Sequence, residues 1–275
     1  MKTSLYKQNT KEVYDKLYPD RHNFNPKLIE YEKKKIEKNI KEMGLKISDL
    51  KKMCIFNTGT GLESIIFHEL GAKKIYHYDI SDTAVGNLNH LRNTNPKFHN
   101  LYSEKINLVE DKLSTPEGID LVYLQGVAHH FSDCKKGLEN IFSNLNKDAR
   151  IFMRNYRTGT LIFFVADFIR KFINYDCMID FDKVCHERFG DFPSQADWTS
   201  NLYTNICGLS FDHFFVPTLH LHDTKELNNY FESNGFQNLL PQTVPEYNHD
   251  NFTDIAQTNT SFVYAKLTDR TDKFN

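Results

Sequence analysis

Short apolar runs alternating with helix-spaced stripes dominate the middle of the chain. The runs Met53–Phe56, Ile75–Tyr78, Ile106–Val109, Leu121–Leu124 and Ile151–Met153 have strand length. Between them apolar residues recur at three- and four-residue spacing: Leu62, Ile65, Ile66 and Leu70, then Val85, Leu88 and Leu91, then Leu138, Ile141, Phe142 and Leu145. That spacing puts each set on one helix face and predicts a mainly parallel sheet flanked by helices. Upstream, Asn25-Pro26 is a helix-start signal, followed by an apolar stripe of Ile29, Ile36, Ile40 and Met43. The lysines and glutamates around that stripe read as a solvated face. Over residues 156–221 the beat is lost in a stretch rich in phenylalanine, aspartate and tyrosine. It resumes where Asp223 and Glu226 are spaced as a capping box. Leu227, Tyr230 and Phe231 then face inward, Gly235 stops the helix, and Phe236–Leu240 and Ser261–Leu267 read as two last strands.

This rhythm divides the chain into an N-terminal helical segment (1–50), a strand–helix core (51–155), an insert (156–221) and a return to the core (222–275). With 40% hydrophobic and 25% charged residues in 275, the chain has an ordinary globular composition. A net charge of −2 disfavours a surface built to track phosphates, and with it a nucleic-acid partner. The five cysteines are scattered without a CxxC pair, which fits reduced thiols and a cytoplasmic protein. Residues 1–14 are polar and lysine-bearing, unlike a signal peptide. The longest apolar stretch, Leu161–Ala166, is far short of the roughly 20 residues of a membrane-spanning helix, so none is expected. His213, His220 and His222 lack a clustered cysteine or carboxylate ligand set, and no metal site is expected.

The sharpest chemical signal is Met-Cys-Ile-Phe-Asn-Thr-Gly-Thr-Gly-Leu-Glu-Ser, residues 53–64. A buried strand ends, Gly59 and Gly61 make a tight turn, and a helix begins at once, with Thr60 and Glu63 spaced as its capping box. A two-glycine turn alone is equally a plain strand-to-helix connection. Twenty residues after Gly59, however, the next strand ends in Asp79. A carboxylate there can accept hydrogen bonds from both ribose hydroxyls of a nucleoside lying over the turn. The third glycine of a dinucleotide-binding turn is replaced by Ser64, which argues against a nicotinamide cofactor.

The segment resembles motif I of the class I S-adenosylmethionine-dependent methyltransferases. Asp120-Leu-Val-Tyr-Leu-Gln-Gly-Val-Ala-His-His-Phe-Ser-Asp133 resembles their motif IV, in a variant with a double histidine, and Arg150–Arg154 resembles their fifth strand. The resemblance covers residues 53–155 and, in outline, 222–267. It implies an α/β, Rossmann-like three-layer sandwich with a seven-stranded, mostly parallel sheet, its last strand antiparallel, and an inserted helical cap. It also implies S-adenosyl-L-methionine as cofactor. Gly59 and Gly61 would lie against its methionine portion, Asp79 would hold the ribose, and Ile80 would touch adenine. Asp111 would sit near the adenine amino group, and Gln125 and Gly126 would line the methyl side. Two positions depart from the family pattern: the motif I acid is Asn57, still able to hydrogen-bond the loop or the cofactor, and its last glycine is Glu63.

Methyl transfer asks the protein to hold an acceptor in line with the methyl carbon and, where needed, to remove a proton. His129 and His130 follow the fourth strand and are candidate bases, with His129 preferred because neighbours do not easily both face inward. Arg154 ends the fifth strand and is a candidate for an acidic substrate group; a surface ion pair is the plain alternative. The insert is the candidate acceptor-binding cap. Its stripe Leu161, Phe164, Val165, Phe168 and Phe172 reads as core, with an apolar acceptor or a membrane surface as the minority reading. Tyr14, Tyr18 and His22 are placed by position over the cofactor. The activity expected is methyl transfer to a small-molecule acceptor; the alternatives are a non-methylating binder of the same cofactor and an RNA or protein methyltransferase. Oligomeric state stays open.

Overall fold

The computed structural model describes residues 11, 26–156, 161–172, 180, 183–184, 187, 214–216, 219–239 and 259–266. The order is α1 (Pro26–Glu42), β1 (Cys54–Asn57), α2 (Leu62–Glu69), β2 (Lys74–Asp79), α3 (Asp82–Thr94), β3 (Leu101–Lys105), β4 (Ile119–Gln125), α4 (Cys134–Phe142), β5 (Leu145–Tyr156), α5 (Leu161–Arg170), α6 (Thr224–Ser233), β6 (Phe236–Asn238) and β7 (Asn259–Lys266). Seven strands form one sheet in the order β3-β2-β1-β4-β5-β7-β6. The first five are parallel, and β7 runs antiparallel to both β5 and β6.

Alternation along the strands sorts the core into two layers. Ile55, Ile75, Leu121, Tyr123, Phe152 and Val263 face α1 and α2 through Ile36, Ile40, Met43, Ile66 and Phe67. Phe56, Val122, Leu124, Ile151 and Met153 face α4 and α6 through Leu138, Ile141, Leu227 and Phe231. The stripe read on each of these helices is therefore the face that meets the sheet. Phe231 is fully buried and stacks on Tyr264 with ring centroids 3.8 Å apart. Truncating such a side chain costs about 3–5 kcal/mol.

Two expectations need correction. Strand three is Leu101–Lys105, not Ile106–Val109. β3 is a sheet edge, so Leu101 alone needs full burial, while Leu108 and Val109 reach the core from the turn that follows. Leu145 opens β5 rather than continuing the α4 stripe. Asp223 does cap α6, its side chain accepting the N–H groups of Lys225 and Glu226 at 2.9 Å. Asp133 does the same for α4, accepting Lys136 N–H at 3.0 Å. Strand order reverses between β1, which leads to β2, and β4, which leads outward to β5. The carboxyl ends of β1 and β4 flank the crevice where ligands of open α/β sheets bind.

Candidate active site

The turn after β1 is a pair of left-handed glycines, with φ of 96° at Gly59 and 88° at Gly61. They differ in surroundings. A Cβ on Gly61 would meet the Leu88 side chain at 2.7 Å, whereas one on Gly59 would meet nothing within 4 Å. Gly61 is needed for close packing of α2 against α3, and Gly59 leaves its face of the turn open to a ligand. The Thr60–Glu63 capping box does not form: Gly61 is the N-cap without a side-chain bond, and Thr60 Oγ1 takes only a long 3.4 Å bond from Leu62 N–H.

Asp79 ends β2 and turns toward that loop. Its Oδ2 accepts Gly59 N–H at 2.8 Å and its Oδ1 accepts Ser81 N–H at 2.8 Å. The carboxylate thus ties the glycine turn and the start of α3 to the tip of β2. His77, which the strand pattern did not flag, clamps the other side of the turn. Its ring nitrogens lie 2.9 Å from Gly59 O and 2.9 Å from Ser103 Oγ. A carbonyl only accepts, so Nε2 carries a proton and Nδ1 faces the Ser103 hydroxyl. The available signal was a lone ring nitrogen pair inside an otherwise apolar strand. Ile80 is half-buried immediately beyond Asp79. Asp111 is exposed, and its carboxylate closes its own turn by accepting Asn107 N–H at 2.8 Å.

Asn57 lies at the tip of β1, fully buried, with its Oδ1 accepting Ser64 Oγ–H at 2.9 Å and its Nδ2 without a hydrogen-bond partner among the described residues. Across the sheet it pairs in register with Tyr123. Tyr123 Oη accepts Asn39 Nδ2–H from α1 at 2.7 Å and donates to Gln125 Oε1 at 3.0 Å. Burial drives the Tyr123 phenol strongly upward, so it is neutral. Gln125 is thereby held at the tip of β4, and Gly126 follows at φ 72° with its N–H on Arg154 O. A helical turn, Ala128–His130, comes next.

Both histidines of that turn are buried, His129 completely, which corrects the expectation that only one would face inward. A short helical turn directs consecutive side chains about 120° apart, and a wall of aromatic rings accepts both. The His129 ring lies 4.0 Å from Tyr156 and 4.1 Å from His130, centroid to centroid. His220 N–H donates to His129 O at 2.7 Å, and His222 N–H to Tyr156 O at 3.1 Å, so the chain before α6 is stitched over this turn. Burial and then the charge of His220 push the His222 ring down to about 4. Tyr156 also packs with Ala166 of α5 and with Phe214, Leu219 and Leu221. The opposite side of α5 departs from the core reading: Phe164, Val165, Phe168 and Phe172 are exposed. Arg154 is half-buried and forms no ion pair among the described residues. A groove of about 810 Å³ runs between α4 and α6 past Lys135, His220, His222 and Tyr230, and neither Gly59 nor Asp79 lines it. Tyr14, Tyr18, His22 and His213 lie outside the described residues. Among the described residues there is no group of three potential metal ligands, and no helix long and apolar enough to cross a membrane.

A mostly parallel sheet with β7 reversed, a glycine turn and a strand-tip acid facing it define a Rossmann-like α/β protein. Residues 28–240 match the family model described as a methyltransferase domain. The chain belongs to that family. No curated protein matches the sequence. Magnesium protoporphyrin IX methyltransferase (ChlM) from Synechocystis PCC 6803, with bound SAH, is similar in fold, with a TM-score of 0.51 at 14% identity over 93% of each chain. PKMT2 from Rickettsia typhi, in complex with AdoHcy, gives 0.51 at 11% identity, over 80% of this chain and 50% of that one. The chain thus spans about half the length of PKMT2, and at these identities the likeness shows the fold alone.

The residues fit S-adenosylmethionine as cofactor. The space over Gly59 admits a ligand against the backbone, the Asp79 carboxylate faces that turn, and Asn57 Nδ2 is a buried donor at the tip of β1.

Proposed function

We propose that the protein transfers the methyl group of S-adenosylmethionine to a small-molecule acceptor by in-line displacement, with His129 as the assisting base. The observation that carries this reading is the 2.8 Å bond from Gly59 N–H to Asp79, which aims a strand-tip carboxylate at the open face of the glycine turn. Asp79 would hold the ribose, Ile80 would touch adenine, and Gln125 and Gly126 would line the methyl side. The bound cofactor supplies a methyl carbon made electrophilic by its sulfonium.

The chain's own work is placement and proton removal. His129 sits within two aromatic contacts and near Gly126, which supports its placement on the methyl side. An imidazole there accepts a proton near neutral pH when the acceptor carries one. His130 shares the buried wall, and Arg154 would hold an acidic group of the acceptor. The insert, 156–221, would close over the acceptor, and the exposed phenylalanines of α5 support an acceptor with an apolar portion. The free thiols of Cys54 and Cys134 fit a reducing, cytoplasmic setting.

A screen of small metabolites with labelled methyl donor tests the reading. Label should enter a small molecule, and label found solely in RNA or protein would sink the acceptor class. With that acceptor, His129→Ala should bind the demethylated cofactor normally yet turn over about 10²-fold or more slowly. A normal rate removes His129 as the base.

A further inference from the structure

Glu63 opens α2 directly behind the glycine turn, under α1. Its carboxyl accepts its own backbone N–H, while Oε2 is buried and has no hydrogen-bond partner among the described residues. The charged groups facing it come from α1: Glu32, and Lys35, whose Nζ already pairs with Glu32 at 2.6 Å. Two carboxylates therefore share one ammonium, leaving an unbalanced negative charge in a desolvated place. Burial, then Glu32, raise the Glu63 carboxyl to about 7, with Lys35 opposing. From β4, the neutral Tyr123 faces the same region; Arg154 of β5 acts on Tyr123 and is not among the groups acting on Glu63. Asn57, on the same sheet face and bonded to the neighbouring Ser64, adds a buried donor, Nδ2.

A buried acid with an unused oxygen costs the fold free energy unless a cation meets it. Behind the glycine turn and under α1 lie a buried unpartnered acceptor, Glu63 Oε2, and a buried unpartnered donor, Asn57 Nδ2, among the described residues, the two groups an amino-acid zwitterion requires. Resting on the S-adenosylmethionine reading above, we propose that Glu63 is the anionic partner of the α-ammonium group of the bound methyl donor. It is a binding residue for the amino-acid end, not for the nucleoside.

Titration calorimetry with two ligands separates these ends. S-adenosylhomocysteine carries nucleoside and amino acid; 5′-methylthioadenosine carries nucleoside and sulfur without the amino acid. Glu63→Gln should weaken S-adenosylhomocysteine about tenfold or more, equivalent to about 1.4 kcal/mol, and leave 5′-methylthioadenosine within about twofold. Asp79→Ala should weaken both. Wild type should release about half a proton on binding S-adenosylhomocysteine at about pH 7, read from buffers of different ionisation enthalpy, and none with 5′-methylthioadenosine. The proton count decides the matter even if the variant fails to fold. Glu63→Gln binding S-adenosylhomocysteine as tightly as wild type, or no proton release by wild type, overturns the inference while the cofactor reading stands. Wild type binding neither ligand overturns both.

Discussion

Removing the Asp79 carboxylate should separate the loop contacts that the structure shows from the ribose contact proposed for it. Two backbone N–H groups, of Gly59 and Ser81, each donate to one oxygen at 2.8 Å. Asp79→Ala strands both donors, and a hydrogen bond to a charged acceptor is worth about 1.5–3 kcal/mol. Water reaches this half-buried site, so about 2–4 kcal/mol of fold stability should go in total, or roughly 5–15 °C in the melting midpoint. The same carboxylate is the proposed partner of the two ribose hydroxyls. Losing both charge-assisted bonds, with water partly replacing them in the free protein, should cost about 3 kcal/mol of binding, about 150-fold in Kd. Calorimetry with S-adenosylhomocysteine well below the variant's melting midpoint measures the second effect without the first. Affinity within about threefold of wild type in a folded variant would show that the carboxylate only pins the loop and does not face the ligand.

Gly61→Ala combines a left-handed backbone with a Cβ 2.7 Å from Leu88. It should cost about 2–4 kcal/mol in denaturant melts. A Leu88→Ala background should absorb the steric share and not the backbone share; full recovery would mean that φ imposes no strain. The His222 ring lies below its ordinary 6.5, at about 4, chiefly through burial. The unfolded chain therefore takes up a proton that the folded one refuses between about pH 6.5 and about 4. Stability should fall through that window as pH drops, by up to about 3 kcal/mol from this group. His222→Gln should flatten the fall in urea melts at about pH 7.5 and about pH 5, and equal slopes in both proteins would refute the assignment.

Local pattern was enough for the elements whose chemistry is local. A glycine that must adopt positive φ, a strand buried on both faces and a helix with one apolar stripe each carry their cause within a few residues. Gly59, Gly61, β1, β2, β4 and the stripes of α1 to α4 and α6 were therefore legible, and so was Asp79 at its strand tip. Strand three was misread because an edge strand is half-solvated, and a nearby apolar turn imitates a strand better than the strand itself.

Sequence spacing carries no information about which surface covers another, and that decided the rest. His129 and His130 are both buried because Tyr156 and the stitch from His220 close over them, partners drawn from the far ends of the insert. Thr60 and Glu63 have capping-box spacing, yet Gly61 is the N-cap and the box is unmade, while the charges of Glu32 and Lys35 from α1 act on Glu63. His77 passes for one more strand residue until Gly59 O and Ser103 Oγ come within 2.9 Å of its ring. The apolar stripe Phe164, Val165, Phe168 and Phe172 has the period of a core helix but is exposed, and the buried Ala166 lies off that stripe. Amphipathic period is written by neighbours along the chain, whereas burial, charge balance and hydrogen-bond partnership are set by residues tens to hundreds of positions away, which only the folded sheet brings together.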